Sequence, residues 1–120
     1  MAEEKHAELA RRFNRDMDRG VAELAALGYD PKIFRTMLAN HGAVEAARRL
    51  IKNTKPSYGL WELQKLNRLD TSVEMWVLLP WYEPLFDQPT RDQAKRKLRQ
   101  LGVDVDRELR QLVARFQPEG

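Results

Sequence analysis

The amino-acid sequence predicts an all-α fold: a compact orthogonal bundle of six or seven short helices that forms one domain over residues 1–120. Apolar residues recur at spacings of three and four through most of the chain, which is the period of an amphipathic helix. Nowhere do four or more residues alternate convincingly between apolar and polar, the pattern of a strand. A chain of 120 residues can bury roughly two thirds of its unfolded surface around one core, so no second domain is expected.

Residues 1–28 are predicted to form one long N-terminal helix that ends at Gly28. Its apolar face consists of Leu9, Phe13, Met17, Val21, Leu24 and Leu27. Gly20 lies inside this helix, where glycine costs about 1 kcal/mol relative to alanine. We therefore expect either the close approach of a neighbouring backbone at Gly20 or a bend in the helix.

Residues 29–56 are predicted to form a pair of helices that resembles a helix-turn-helix. Asp30 is a suitable N-cap, and Pro31 suits the first helical position. Gly42 separates the two helices, and the second must end before Pro56. The first residues of this second helix, Ala-Val-Glu-Ala at 43–46, include no cationic or amide side chain that would read base edges. The alternative is two packed helices whose basic residues complement a helix C-terminus.

Residues 57–89 are predicted to be the aromatic core segment, because they hold all three tryptophans. Thr71-Ser-Val-Glu74 has the pattern of a capping box and predicts a helix start. Pro80 is expected to close that helix after two or three turns. The aromatic residues that follow, at 81–86, are expected to pack over the helix ends.

Residues 90–117 are predicted to form a C-terminal pair of helices. Thr90-Arg-Asp-Gln93 is a second capping box, and Gly102 is expected to end the helix that it begins. Asp104 is the predicted N-cap of the last helix, which Pro118 terminates.

Composition restricts the class of protein. Hydrophobic residues make up 42% of the chain and charged residues 32%, a balance too apolar for disorder and too charged for a membrane span. The N-terminus has no apolar segment typical of a signal peptide. The absence of cysteine excludes disulfides and thiolate chemistry and is typical of a reducing compartment. We therefore expect a cytoplasmic protein.

Charge is distributed in three blocks. Residues 1–56 carry 11 Lys and Arg against 8 Asp and Glu, residues 57–89 carry 2 against 5, and residues 90–120 carry 8 against 5. Basic ends permit a DNA or RNA partner through attraction to phosphates. The predicted phosphate contacts are Arg48, Arg49 and Lys52 of the third helix and Lys95, Arg96 and Arg99 of the sixth. The alternative is that these side chains only form the solvated faces of amphipathic helices.

Aromatic side chains of the acidic middle block suggest a second binding function. Trp61, Trp76, Trp81 and Tyr82 are the predicted partner-binding residues, since Trp and Tyr are preferred anchors of protein interfaces. The negative charge of this block repels phosphates and favours a protein partner or self-association. The alternative is that most of these rings belong to the core.

The sequence offers little for catalysis. Asp70 and Glu74 are four residues apart, but their surroundings are explained by helix capping. His6 and His41 do not stand in a ligand spacing, and no phosphate-binding loop or nucleophile elbow is present. We therefore predict no catalytic residues, no metal and no cofactor. The predicted function is non-enzymatic binding, of nucleic acid first and of a protein partner or a second copy as the alternative.

Three runs of residues resemble a helical module of small uncharacterised bacterial proteins. They are Tyr58-Gly-Leu-Trp-Glu-Leu, Arg68-Leu-Asp-Thr-Ser-Val-Glu74 and Pro80-Trp-Tyr-Glu-Pro-Leu-Phe86. With Phe34-x-x-Met-Leu and Gly42-Ala-Val-Glu-Ala-Ala-Arg-Arg-Leu-Ile, the similarity covers residues 29–101. The resemblance implies a bacterial source and a compact helical unit, and it adds no functional residues.

Overall fold

The first helix is one continuous element. The computed structural model describes the backbone of residues 2–53 and 58–117 and the side chains of residues 4–53 and 59–117. Helix α1 spans Ala2–Ala26. It ends just before Gly28, which has a φ of +87° in the left-handed region that favours glycine. Phe13 of α1 is fully buried and makes edge-to-face contacts with Tyr82 and Phe86, at centroid distances of 5.0 and 5.1 Å. Phe13, Met17 and Leu24 of the predicted apolar face are buried in the core, whereas Leu27 is 51% exposed.

Six further α-helices and two 3₁₀ helices follow in the described residues. The α-helices are α2 Lys32–His41, α3 Ala43–Lys52, α4 Tyr58–Lys65, α5 Val73–Trp76, α6 Gln88–Gln100 and α7 Val105–Phe116. The 3₁₀ helices are Leu69–Thr71 and Pro80–Leu85. These described ranges contain no strand and form a compact bundle with extents of 42 × 30 × 27 Å, which confirms the predicted all-α fold.

The predicted aromatic core segment supplies the centre of the bundle. Every side chain from Ser72 to Leu79 is buried. Helices α3 and α6 both pack against α5, and α1 packs against the 3₁₀ helix Pro80–Leu85. The short α5 is therefore surrounded on several sides, and its stability comes from packing rather than from its own length.

The start of α2 differs from the prediction. Pro31 occupies the N-cap position without a side-chain hydrogen bond, and the Asp30 carboxylate instead accepts a hydrogen bond from Arg35 Nη2 at 2.8 Å. At the other end of α2, only Gly42 separates it from α3, with a φ of +76°. A helix-turn-helix has a turn of three or four residues, so this connection is shorter than that motif requires.

The starts of α5 and α6 are shifted from the predicted capping residues. Ser72, not Thr71, caps α5, and its Oγ accepts a hydrogen bond from the backbone N–H three residues later at 3.1 Å. Asp87, not Thr90, caps α6, and its Oδ1 accepts from the Thr90 N–H at 3.0 Å. Helix α5 also ends at Trp76 after a single turn, shorter than predicted. In both cases a neighbouring residue with an equally suitable side chain occupies the cap.

The start of the last helix agrees with the prediction. Asp104 caps α7, and its Oδ1 accepts a hydrogen bond from the Arg107 N–H at 3.2 Å. The predicted stops at Pro56 and Pro118, and the nearby Lys55, lie outside the described residues.

Removing the α5 cap tests this assignment. We expect Ser72→Ala to lower the free energy of unfolding by about 1 kcal/mol, because the helix loses the acceptor for one of its free N–H groups. Urea denaturation with an unchanged m-value would measure the loss. Gln111→Ala, at an exposed position of α7, should change the free energy by less than about 0.5 kcal/mol. A larger loss at Gln111 than at Ser72 would contradict the assignment.

Candidate functional site

The predicted phosphate contacts of α3 are partly occupied by other interactions. Arg49 Nε lies 3.2 Å from one oxygen of Glu45, and Arg48 Nη1 lies 3.6 Å from the other. The hydrogen bond from Arg49 is the largest cause that holds the pKa of Glu45 below its usual value. Arg48 Nη2 also donates to the Leu85 carbonyl at 2.9 Å. Lys52 is exposed and has no ion pair within the described residues. Arg48 therefore connects α3 to Leu85, whereas the exposed Arg49 pair lies within α3 and adds little stability.

Helix α6 packs against α3 through two polar contacts. Lys97 Nζ donates to the Leu50 carbonyl at 3.0 Å, and Gln93 Nε2 donates to the Asn53 carbonyl at 3.5 Å. These contacts define the side of α6 that faces α3.

The predicted phosphate contacts of α6 span about 100° of the helix surface, with Arg99 between Lys95 and Arg96. Arg96 donates twice to Gln93 Oε1, at 2.6 and 3.0 Å. Lys95 and Arg99 are each about 160° around the helix axis from Lys97, because successive residues are about 100° apart. Nucleic-acid binding by the six predicted cations stays a prediction.

The predicted partner-binding aromatics divide between core and surface. Tyr82 and Trp76 are buried, and the Trp76 Nε1–H donates to the Asp70 carbonyl at 2.7 Å. Trp81 is partly buried against the core. Because α1, α3 and α6 enclose this segment, Trp76 and Tyr82 do not belong to an exposed surface. Trp61 is 47% exposed, and a partner-binding role for it stays a prediction.

A cavity of about 400 Å³ lies beside the core. Its walls come from α1, α4, α5, the start of α2, the end of α7, Leu50 of α3 and the 3₁₀ helix Leu69–Thr71. Its apolar lining includes Met17, Val21, Leu24, Phe34, Leu63, Trp76 and Phe116. This volume lies within the range of about 300–1,000 Å³ that small-molecule sites occupy. The sequence pattern does not predict this cavity, because periodicity shows which residues are apolar but not where their packing leaves space.

Gly20 faces this cavity from the middle of α1. A Cβ atom added at Gly20 would meet no other atom within 4 Å, so no neighbouring backbone approaches it closely. The missing side chain instead leaves space in the cavity. Gly20, a glycine inside a strongly periodic helix, was the sequence feature that indicated unusual packing at this position.

Substitution of Gly20 by alanine should stabilise the protein. We expect Gly20→Ala to raise the free energy of unfolding by about 1 kcal/mol, because alanine restricts the unfolded chain and its Cβ has open space in the folded one. The same change at Gly28, where φ is +87°, should be destabilising. Thermal unfolding of the two variants would give shifts of opposite sign, and a destabilised Gly20→Ala variant would contradict the open space.

Five carboxylates line the cavity, and each has a cationic partner. The pairs are Asp16–Arg19 at 3.0 Å, Glu23–Arg68 at 3.2 Å, Asp70–Arg68 at 3.2 Å, Asp30–Arg35 at 2.8 Å and Glu74–Lys97 at 3.1 Å. The last pair is fully buried, with Glu74 2% and Lys97 0% exposed. Each acidic group of the wall therefore has a cation beside it, although Glu23 and Asp70 share the single guanidinium of Arg68.

Tyr82 connects the core to the cavity wall. Its hydroxyl donates a hydrogen bond to Asp16 Oδ2. Burial, reinforced by this hydrogen bond, raises the pKa of Tyr82 far above its usual value. The phenol therefore stays protonated and keeps donating to the Asp16 carboxylate at neutral pH.

Two cations of the cavity wall have no carboxylate partner within the described residues. They are Lys32 at the start of α2 and Arg115 at the end of α7. The Arg115 guanidinium lies 4.8 Å from the ring centroid of Phe116, and the Arg19 guanidinium lies 5.4 Å from the same centroid. Arg19 also lies 5.6 Å from the Trp76 ring. One end of the cavity thus combines two guanidinium groups with two aromatic rings.

Other sites and comparisons give no further assignment. In the described part of the chain, no cluster of His, Asp or Glu is placed to hold a metal ion, and no helix combines the length and apolar character needed to span a membrane. Asp70 and Glu74 line the cavity, but the exposed His41 is not among its lining residues. No family model matches the chain, and no curated protein or solved structure matches it.

Proposed function

We propose that this chain is a non-enzymatic binding protein whose site is the cavity between α1, α2, α4 and α7, and that its ligand is a small molecule with an apolar body. The observation that carries the proposal is a half-enclosed space of about 400 Å³ with a mainly apolar lining, next to a tightly packed core. Apolar pockets with a few polar groups are the usual form of a small-molecule site.

The charged groups around the cavity are arranged in a way that suits an apolar ligand. Each carboxylate of the wall is already paired with an arginine or lysine of the protein. An apolar ligand that covers these pairs leaves each carboxylate beside its cation. A buried carboxylate without a partner would cost several kcal/mol. An apolar molecule can therefore displace water from the lining at a low electrostatic cost.

The Gly20 position provides a direct test of the site. A neutral fluorescent probe, N-phenyl-1-naphthylamine, should bind the wild-type protein with increased emission, because the lining is apolar. Gly20→Phe should weaken this binding at least about ten-fold, since the added ring occupies the open space next to the glycine. The substitution should not unfold α1, because phenylalanine has a better helix propensity than glycine.

A matched control separates occupation of the cavity from a general change in α1. Ala22 is exposed on the same helix and does not line this cavity, so Ala22→Phe should bind the probe as the wild type does. Equal probe binding by Gly20→Phe and the wild type, or no binding by the wild type, would overturn the proposed function.

A further inference from the structure

The carboxylates and the cations of the cavity wall differ in whether they have a protein partner of opposite charge. Each of the five lining carboxylates has a protein cation within 3.2 Å, whereas Lys32 and Arg115 have no carboxylate partner within the described residues. Arg68 serves two of the carboxylates, so four cations pair with the five carboxylates. Lys32 and Arg115 bring the total around the cavity, within the described residues, to six positive charges against five negative ones. This imbalance favours an anionic group on the ligand.

The two guanidinium groups at the α7 end of the cavity lie close to the same ring. Arg115 and Arg19 are 4.8 and 5.4 Å from the Phe116 centroid. Arg19 is already paired with Asp16, and within the described residues Arg115 contacts the ring without an ion pair. An anion placed beside Phe116 would be attracted by both cations, and the planar guanidinium of Arg115 would have donors free for a two-point hydrogen bond.

We infer that the ligand is an amphipathic organic anion, with its apolar body in the cavity and its head group held by Arg115, with Arg19 beside it, at the Phe116 end. This inference depends on the proposed function, since it assigns a head group to the same ligand. A carboxylate on a single apolar chain is the simplest member of this chemical class. The competing position for the head group is Lys32, which lines the cavity from α2 as a single flexible cation.

Two molecules that differ only in the head group test the inference. Octanoate and 1-octanol have chains of the same length, and each is measured by displacement of N-phenyl-1-naphthylamine from the full chain. We expect octanoate to bind the wild type at least about ten-fold more tightly than octanol, because its carboxylate makes charge-assisted hydrogen bonds that a hydroxyl does not. This preference should decrease in 0.5 M NaCl, since the head group lies near solvent.

Variants of the cations locate the head group. Arg115→Gln should remove most of the preference for octanoate and leave octanol binding unchanged. Arg115→Lys should restore part of the preference, because it keeps the charge without the planar fork. Arg110→Gln is the matched control, since Arg110 is exposed on α7 and does not line the cavity. Lys32→Gln should leave the preference intact.

The outcomes distinguish this inference from the proposed function. Equal binding of octanoate and octanol, with normal probe binding, would overturn the anionic head group while the apolar site stands. If Lys32→Gln loses the preference for octanoate and Arg115→Gln keeps it, the placement of the head group beside Phe116 is wrong. If the probe, octanoate and octanol all fail to bind, the proposed function itself is wrong.

Discussion

Replacing Lys97 with methionine is expected to lower the free energy of unfolding by about 3–5 kcal/mol. Lys97 is 0% exposed, and its Nζ lies 3.1 Å from Glu74 Oε2 and 3.0 Å from the Leu50 carbonyl oxygen. Methionine is similar in length to the apolar part of the lysine side chain, but it leaves Glu74 as an unpaired carboxylate in the core. Urea denaturation would measure the loss, since urea does not screen the ion pair as guanidinium chloride does.

Two further variants show whether the loss comes from the broken ion pair. Lys95 lies on the same helix and has no ion pair within the described residues, so Lys95→Met should change the free energy by less than about 0.5 kcal/mol. The double variant Glu74→Leu with Lys97→Met should be more stable than Lys97→Met alone, because it removes both charges from the core. A Lys97→Met protein within about 1 kcal/mol of the wild type would contradict the buried pair.

Tyr82→Phe is the second substitution with a large expected effect, a loss of about 1.5–3 kcal/mol at pH 7. The fully buried Tyr82 donates its hydroxyl proton to the Asp16 carboxylate. Phenylalanine keeps the edge-to-face contact with Phe13 at 5.0 Å, so the variant removes the hydrogen bond with little change in packing. The Asp16 side chain is only 11% exposed, so water replaces the lost donor poorly. Urea denaturation of the two proteins would measure the difference.

Alkaline pH should reduce this difference. The pKa of Tyr82 is raised in the folded protein, whereas an unfolded tyrosine ionises near pH 10. The stabilisation by Tyr82 is therefore complete below about pH 10 and is lost as the pH rises above it, because the unfolded chain releases the proton first. The Phe variant has no such group at this position, so the stabilities of the two proteins should converge above pH 10.

A double-mutant cycle isolates the hydrogen bond from other effects of the tyrosine. In an Asp16→Asn background the acceptor is uncharged, and the cost of Tyr82→Phe should fall, because hydrogen bonds to charged groups are the stronger ones. An unchanged cost in that background would show that the carboxylate is not responsible.

Local patterns in the chain were sufficient for the fold class and for several helix boundaries. The spacing of apolar residues predicted the long α1 and the bundle, because each helix shows its buried face as a period of about 3.6 residues. Gly28 and Asp104 predicted the end of α1 and the start of α7, since a positive φ and a helix cap each require particular residue types. These features depend on residues that are neighbours in sequence.

Capping residues and buried charges were decided by contacts between distant parts of the chain. Lys95-Arg-Lys97 reads as a uniformly basic run, yet Lys97 alone is enclosed, because its partner Glu74 comes from another helix. The N-terminus of α3 shows the same effect, since Ala43 donates to Asn14 Oδ1 of α1 at 2.8 Å. No local pattern distinguishes these residues from solvated neighbours of the same type.

The cavity depends on the assembled bundle in the same way. Its lining comes from six α-helices and the 3₁₀ helix Leu69–Thr71. Its size depends on how closely their side chains pack, which is a property of the whole arrangement and not of any one segment. Amphipathic periodicity is a local property and was readable from the residues alone. Burial of Lys97, the pairs Glu74–Lys97 and Glu23–Arg68, and the open space at Gly20 arise only when segments far apart in sequence come into contact.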